Sequence, residues 1–360
     1  MRFTTARHKL QKRKLRENRT KVFIDMLSVQ GHITLNNFYV RQLCQEPTIF
    51  ICSSMSNAYQ EFKTGLLGVQ PCGRGIGERL LTTMRVLRIL LTERPQTAVF
   101  LSYDLASFAL ISRVAAILRT HVVCFEHNTA PRTRAKRLMH RLMARKVIRL
   151  VYASHVQDIY SRAGIGTIHV PHPCIAPDAT NVAPDEWKSL VARAQVHFRR
   201  TAFCPSGSVS LESIESIARQ DPDTLFVCKS RENSELPNVL CHSYFEDYAG
   251  ALAQCDLVFV PFTLDYKVSG PGFEAIAMGK PVMLLENAFG QYMKQLFPAQ
   301  VFFPGGSVPH TERSDGVAHA HNAKITQTLV ALLEPIAATH KIGGNRRNND
   351  ATTSNTTGGH

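Results

Sequence analysis

From residue 21 onward, short runs of consecutive apolar residues alternate with longer stretches whose apolar positions recur every three or four residues. The short runs are KVFIDML (21–27), TIFICSSM (48–55), TAVFLSY (97–103), HVVCFEHN (121–128) and VIRLVYAS (147–154). The periodic stretches between them are 33–46, 75–94, 105–119, a basic segment over 131–149, and 156–164. A strand apolar at nearly every position is covered on both faces, so this alternation predicts a parallel sheet with helices packed on it. IHVPHP (168–173) closes the series.

Residues 174–200 break the rhythm with proline and polar residues, then the alternation restarts. TAFCPSG, DTLFVCKS, NVLCHSYF, DLVFVPF and VFFP read as strands. SLESIESIARQ, EDYAGALAQC, the stretch around FEAIAMG and a final NAKITQTLVALLEPIAATH read as helices. The expected fold is therefore α/β, with two Rossmann-like doubly wound domains facing each other across a cleft. The boundaries fall at a basic leader (1–20), an N-terminal domain (21–180), a C-terminal domain (181–340) and a polar tail (341–360) whose composition predicts disorder.

Composition changes the picture mainly through charge. The 360 residues carry a formal net charge of +14, with 44% hydrophobic and 19% charged residues. This is a globular chain that favours negatively charged partners. No basic motif interleaved with aromatics appears, so nucleic acid is not an expected partner. The nine cysteines include no C-x-x-C pair. They read as buried free thiols in a reducing cytoplasm, with no zinc site. No apolar run reaches the ~18 residues of a membrane span, and the leader lacks the apolar stretch of a secretory signal. The expected location is cytoplasmic, with a peripheral attachment to the inner face of a membrane. The basic segment supplies the reason. Arg134, Arg137, Arg141 and Arg145 line one helical face that suits an anionic membrane surface, while Leu138, Met139, Leu142 and Met143 form a stripe expected in the core.

The candidate chemistry centres on KVSGPGFEAIAMGKPVMLLE (267–286). Ser269-Gly270-Pro271-Gly272 opens a helix, where free N–H groups and a partial positive charge hold anions. Gly279 and Pro281 end it. Glu274 falls on the expected first turn, where its carboxylate suits the two hydroxyls of a ribose. The alternative is an exposed glutamate that only complements the helix dipole, worth about 0.3–1 kcal/mol. Ser206-Gly207-Ser208 reads as a second phosphate loop feeding a helix N-terminus. In the first domain, Gln30-Gly31-His32 follows the first strand, and Glu126-His127-Asn128 follows the strand HVVCF, at the strand ends where α/β sheets bind ligands.

FEAIAMGKPVM resembles the E-A-x-A-x-G-x-P-V signature of GT-B glycosyltransferases, most closely glycosyltransferase family 4, through Glu274, Ala275, Ala277, Gly279, Pro281 and Val282. The pattern Ser154, Gly164 and Val170-Pro171-His172-Pro173 is similar to the family's inter-domain crossover. The resemblance implies a hexosyltransferase-type enzyme of polysaccharide biosynthesis. A nucleotide-diphosphate sugar would be its co-substrate and a glycan or lipid-linked molecule its acceptor, with retention of configuration and no cofactor or metal. It implies that Glu274 binds the donor ribose, that Gly31 and His32 form the acceptor loop, and that His127 contacts the donor sugar or stabilises the transition state. Where the family has a second glutamate, this chain has Tyr266 beside Asp265. Where the family has a basic pair, Ser206–Ser208 stands instead, with Lys229, Arg231 and Lys267 as the nearest cations for the diphosphate. These departures keep two alternatives open: a catalytically silent GT-B subunit and a sugar-nucleotide epimerase.

Overall fold

The structure is a computed structural model that describes residues 21–27, 32–43, 49–52, 66–68, 75–177, 197–205, 210–245, 247–309 and 315–349. The chain divides into two compact units after Leu150, and the first unit takes up the chain again from Ile325. Gly31, Ser206, Gly207, Ser208 and the basic leader lie outside the described residues.

The first sheet has strands β1 (Lys21–Asp25), β2 (Ile49–Cys52), β3 (Leu66–Gly68), β4 (Thr97–Ser102), β5 (His121–Phe125), β6 (Ile148–Val151) and β7 (Ile168–His169), in the order β3-β2-β1-β4-β5-β6-β7. Strands β1 to β6 pair in parallel. Helices α1 (Ile33–Leu43), α2 (Ile76–Glu93), α3 (Leu105–Ile117) and α4 (Arg134–Leu142) connect these strands, and α5 (Ser154–Arg162) follows β6. The core gathers Val22, Ile24, Phe100, Phe108, Ile111 and Val122. All six β4 residues are buried, as an unbroken apolar run in a doubly covered sheet requires.

The second sheet has β8 (Arg200–Cys204), β9 (Thr224–Lys229), β10 (Val239–His242), β11 (Leu257–Val260), β12 (Val282–Leu284) and β13 (Val301–Phe302), in the order β10-β9-β8-β11-β12-β13. Its pairs are parallel. Helices α6 (Leu211–Ala218), α7 (Tyr248–Gln254), α8 (Gly270–Ala277) and α9 (Ala288–Leu296) join its strands, and α10 (Asp315–Asn349) follows. Ala202, Ile214, Phe226, Phe259 and Met283 form its core. Each sheet reverses direction of winding once, beside β1/β4 in the first and β8/β11 in the second. Ligands of open α/β sheets gather outside the strand C-termini at such points.

Three expectations need correction. Leu138 and Leu142 are not core: they are 51% and 45% exposed. The inward face of α4 carries His140 instead, whose Nε2 bonds the Thr129 carbonyl at 2.8 Å, with Met143 buried just past the helix end. Arg145 is not on the helix, because α4 stops at Leu142. Glu274 is in the second turn of α8, because that helix starts at Gly270. The structure adds β3 and α9 to the expected elements, and α10 stays helical past residue 341 to Asn349.

Helix α9 shows how tightly the second unit closes. Asn287 caps it through Oδ1 to the Gly290 amide at 3.0 Å. A Cβ on Gly290 would run into the Leu285 carbonyl oxygen and sit 3.1 Å from the Phe303 ring. Gly290→Ala is therefore expected to lower stability by about 2–3 kcal/mol, the cost of overpacking against backbone. Urea unfolding checks this, and an unchanged midpoint would show that the turn relaxes freely.

Candidate functional site

In the second unit, the site is built on α8. Gly270 and Pro271 open the helix, and Gly279 ends it at φ +69°, a backbone region where glycine carries no steric penalty. Lys280 bonds the Ala253 and Cys255 carbonyls at 2.6 and 2.7 Å, so this motif lysine closes the C-terminus of α7 rather than facing a ligand. One side of α8 is pinned by Phe273, which is fully buried and stacks on His172 at 4.5 Å.

That pinning fixes the next residue, Glu274. Its Oε2 accepts a short hydrogen bond from the Tyr248 hydroxyl on α7. Its Oε1 lies on the side of Gly270, 3.9 Å from where a Cβ there would stand, and no described residue donates to it. Burial holds the Glu274 carboxyl above the usual carboxylate range, offset in part by the Tyr248 bond. Burial, then the Glu274 charge, pushes the Tyr248 hydroxyl up, so it remains a donor. A half-satisfied carboxylate beside an uncapped helix start is equipped to accept two hydroxyl protons. Ser269, at the N-cap position, is buried and makes no side-chain cap. The α8 amides are therefore not consumed by it.

The loop before α8 carries the other expected donor residues. The Lys267 ammonium sits 5.5 Å from the Tyr266 ring centre, and the Lys267 carbonyl faces His155 Nε2 at 3.3 Å. Asp265 is exposed and Tyr266 half-buried. Burial lowers the His155 pKa, against the pull of the Lys267 carbonyl and Asp265. His155 Nδ1 is buried with no described partner. The Lys229 ammonium lies over the Tyr244 ring, and Arg231 is exposed beyond β9. No hydrogen bond or ion pair among the described residues joins either to Glu274.

In the first unit, the structure brings His32 and His127 together: their rings stack at 4.4 Å with an 18° interplanar angle. His127 Nε2 is 2.9 Å from the Leu101 carbonyl, to which it donates. The turn that presents His127 is held from below by Glu126, which is buried. Glu126 accepts from the Tyr103 hydroxyl at 2.5 Å and from the Thr129 hydroxyl, and lies 4.0 Å from the buried Arg149 guanidinium. On the His32 side, Asp25 at the end of β1 accepts from Ser102 and from Asn36 of α1, at 3.1 Å for the latter. Both histidines thus stand beside the β1/β4 reversal.

Sequence reasoning missed Tyr248, His155 and Tyr103. Nothing in their spacing marks them, since each acts through a partner distant in the chain. A buried glutamate in FEHNT was the one available signal for the Glu126 network.

No protein-family model and no curated protein matches the chain in sequence. Solved structures do match it in shape. HepE of Anabaena, in complex with UDP and glucose, superposes with a TM-score of 0.64 at 14% identity, covering 88% of this chain and 99% of that one. A glycosyltransferase from Rickettsia africae gives 0.59 at 11% identity, over 89% and 99%. A UDP-GlcNAc 2-epimerase from Neisseria meningitidis, bound to UDP-GlcNAc, gives 0.51 at 13%, over 87% and 100%. At such identities the likeness establishes the fold. The chain has the GT-B architecture that these glycosyltransferases and epimerases share.

Proposed function

We propose that this protein is a nucleotide-sugar-dependent glycosyltransferase of the family 4 type. The observation that carries the reading is Glu274: half-buried, held on one oxygen by Tyr248, and open on the other toward the start of α8 at the β8/β11 reversal. A ribose diol donates to this carboxylate while the diphosphate rests on the α8 amides at Ser269 and Gly270. Ser206, Gly207 and Ser208 add a second phosphate loop, and Lys267, Lys229 and Arg231 supply positive charge. The HepE structures hold UDP, UDP with glucose, and UDP-glucose, which favours a uridine donor here.

Transfer breaks the bond from the sugar anomeric carbon to the diphosphate oxygen and forms one to an acceptor hydroxyl oxygen. The acceptor proton passes to the departing diphosphate, on the same face in a retaining reaction. His127 contacts the sugar, His32 backs it, Gly31 belongs to the acceptor loop, and Asp265 and Tyr266 orient the sugar. The fixed amide dipoles of α8 stabilise the charge that grows on the diphosphate. This chemistry needs no bound metal or cofactor. The acceptor is a glycan or lipid-linked molecule of polysaccharide biosynthesis, met at the inner face of a membrane.

The test is release of nucleoside diphosphate from UDP-, GDP- and ADP-sugars, with and without lipid extract as acceptor. Acceptor-dependent release supports the reading. Epimerisation of UDP-GlcNAc without acceptor would assign the epimerase chemistry instead, and calorimetric silence toward every nucleotide sugar would retire Glu274 as a ribose ligand.

A further inference from the structure

A cleft of about 310 Å³ opens in the first unit at the end of the sheet opposite to His127. His121, which begins β5, lines it, whereas His127 follows the other end of that strand. Five residues of strand separate the two ends by about 17 Å. Its buried apolar lining is Val122, Ala144 and Val147, and its exposed lining includes the cations Arg119 and Lys146. No acid lines it.

The surface around the cleft has the same double character. The exposed faces of α3 and α4 are joined where the Arg113 guanidinium bonds the Leu142 carbonyl at 2.7 Å. Leu110 and Ile117 of α3 are 52% and 80% exposed, and Leu138 and Leu142 of α4 stand out beside Arg134, Arg141 and Arg145. Large apolar side chains interleaved with arginine fit neither a solvated charged face nor a core. They fit the boundary between lipid headgroups and acyl chains.

Arg119 supplies a second, independent sign. It closes α3 in the left-handed region, at φ +61°, with its amide on the Ala116 carbonyl and the Thr120 amide on the Ala115 carbonyl. This is the position that glycine normally takes after a helix. A long cationic side chain is held there against backbone preference, at the mouth of the cleft.

We propose that this cleft binds the phosphate headgroup of an anionic phospholipid while the protein lies on the bilayer. Arg119 and Lys146 meet the phosphate, and Leu110, Ile117, Leu138 and Leu142 enter the headgroup region. The inference refines the membrane attachment proposed above by giving it a specific lipid site, and it does not depend on Glu274 or on sugar transfer.

The experiment is flotation of the full chain with vesicles of phosphatidylcholine alone and of phosphatidylcholine with phosphatidylglycerol. Binding is expected only to the second kind. The double variant Arg119→Gly, Lys146→Gln should weaken it about thirtyfold, since each basic residue near an anionic surface contributes severalfold. Glycine is the residue the Arg119 backbone prefers, so folding is preserved, which a thermal melt verifies. A control pair of equal charge change far along the chain, Arg162→Gln with Arg219→Gln, should weaken binding less than fivefold. Equal losses in both variants would mean diffuse charge attraction and overturn the site. Tight binding of free inorganic phosphate, with no preference for vesicles, would overturn the lipid assignment.

Discussion

Glu274→Ala is expected to weaken nucleotide-sugar binding by about a hundredfold, because it removes two hydrogen bonds to a charged acceptor, each worth roughly 1.5 kcal/mol or more. Titration calorimetry with UDP-sugars measures this directly, and unchanged affinity would take Glu274 out of the site. The pH dependence separates the carboxylate from a merely structural side chain. Burial holds the Glu274 carboxyl above its ordinary range. The folded protein therefore keeps that proton to higher pH than the unfolded chain. The stability linked to it is present below the ordinary carboxylate range and is lost as pH rises through the raised value. Ribose hydroxyls donate, so they favour the ionised form, and nucleotide affinity should climb over the same window. Glu274→Gln should flatten both slopes. It should leave stability at neutral pH equal or slightly higher while affinity falls. Tyr248→Phe removes the donor on Oε2. It should raise the pH at which affinity climbs and lower affinity about tenfold. A Tyr248→Phe profile superposable on the parent would show that the tyrosine does not tune Glu274.

His127→Ala is expected to reduce turnover of the donor by about a hundredfold, the scale of losing one transition-state contact. Nucleotide affinity should change only a few-fold, since Glu274 and the α8 amides are untouched. Steady-state kinetics with separate calorimetry divides the two effects. Turnover at the parent rate would relieve His127 of any role in the reaction. His32→Ala should give a smaller decrease, because His32 acts through its stacking on His127. Glu126 offers an internal comparison. Its removal would strand the buried Arg149 charge, an effect on folding that a melt detects.

Much of this was legible in the residue pattern. Apolar runs such as AVFL in β4 and LVFV in β11 specify strands covered on both faces, and their alternation with amphipathic helices specifies two parallel sheets. Gly279 announces its own left-handed cap. The α9 helix has a legible stripe, Phe289, Tyr292, Met293 and Leu296 at i, i+3, i+4 and i+7, but Gly290 lowers the helix propensity of this nine-residue segment and masks it. The orientation of α4 is not legible, because Leu138 and Leu142 share a helical face as regularly as any core pair. What turns that face outward is His140 reaching the Thr129 carbonyl, a contact across 11 positions.

Local chemistry thus determined, from sequence alone, the two Rossmann-like sheets, the helix that carries Glu274 and the excess of positive charge, since apolar runs and helix caps are set by neighbours within a few positions and net charge by composition alone. Tertiary structure decided the rest: that Tyr248 claims one oxygen of Glu274 from 26 residues away, that His32 and His127 stack, and that Arg119 and Lys146 meet at one cleft. Such pairs are set by which strand ends the crossovers bring side by side, and one residue's identity carries no record of its partner's position.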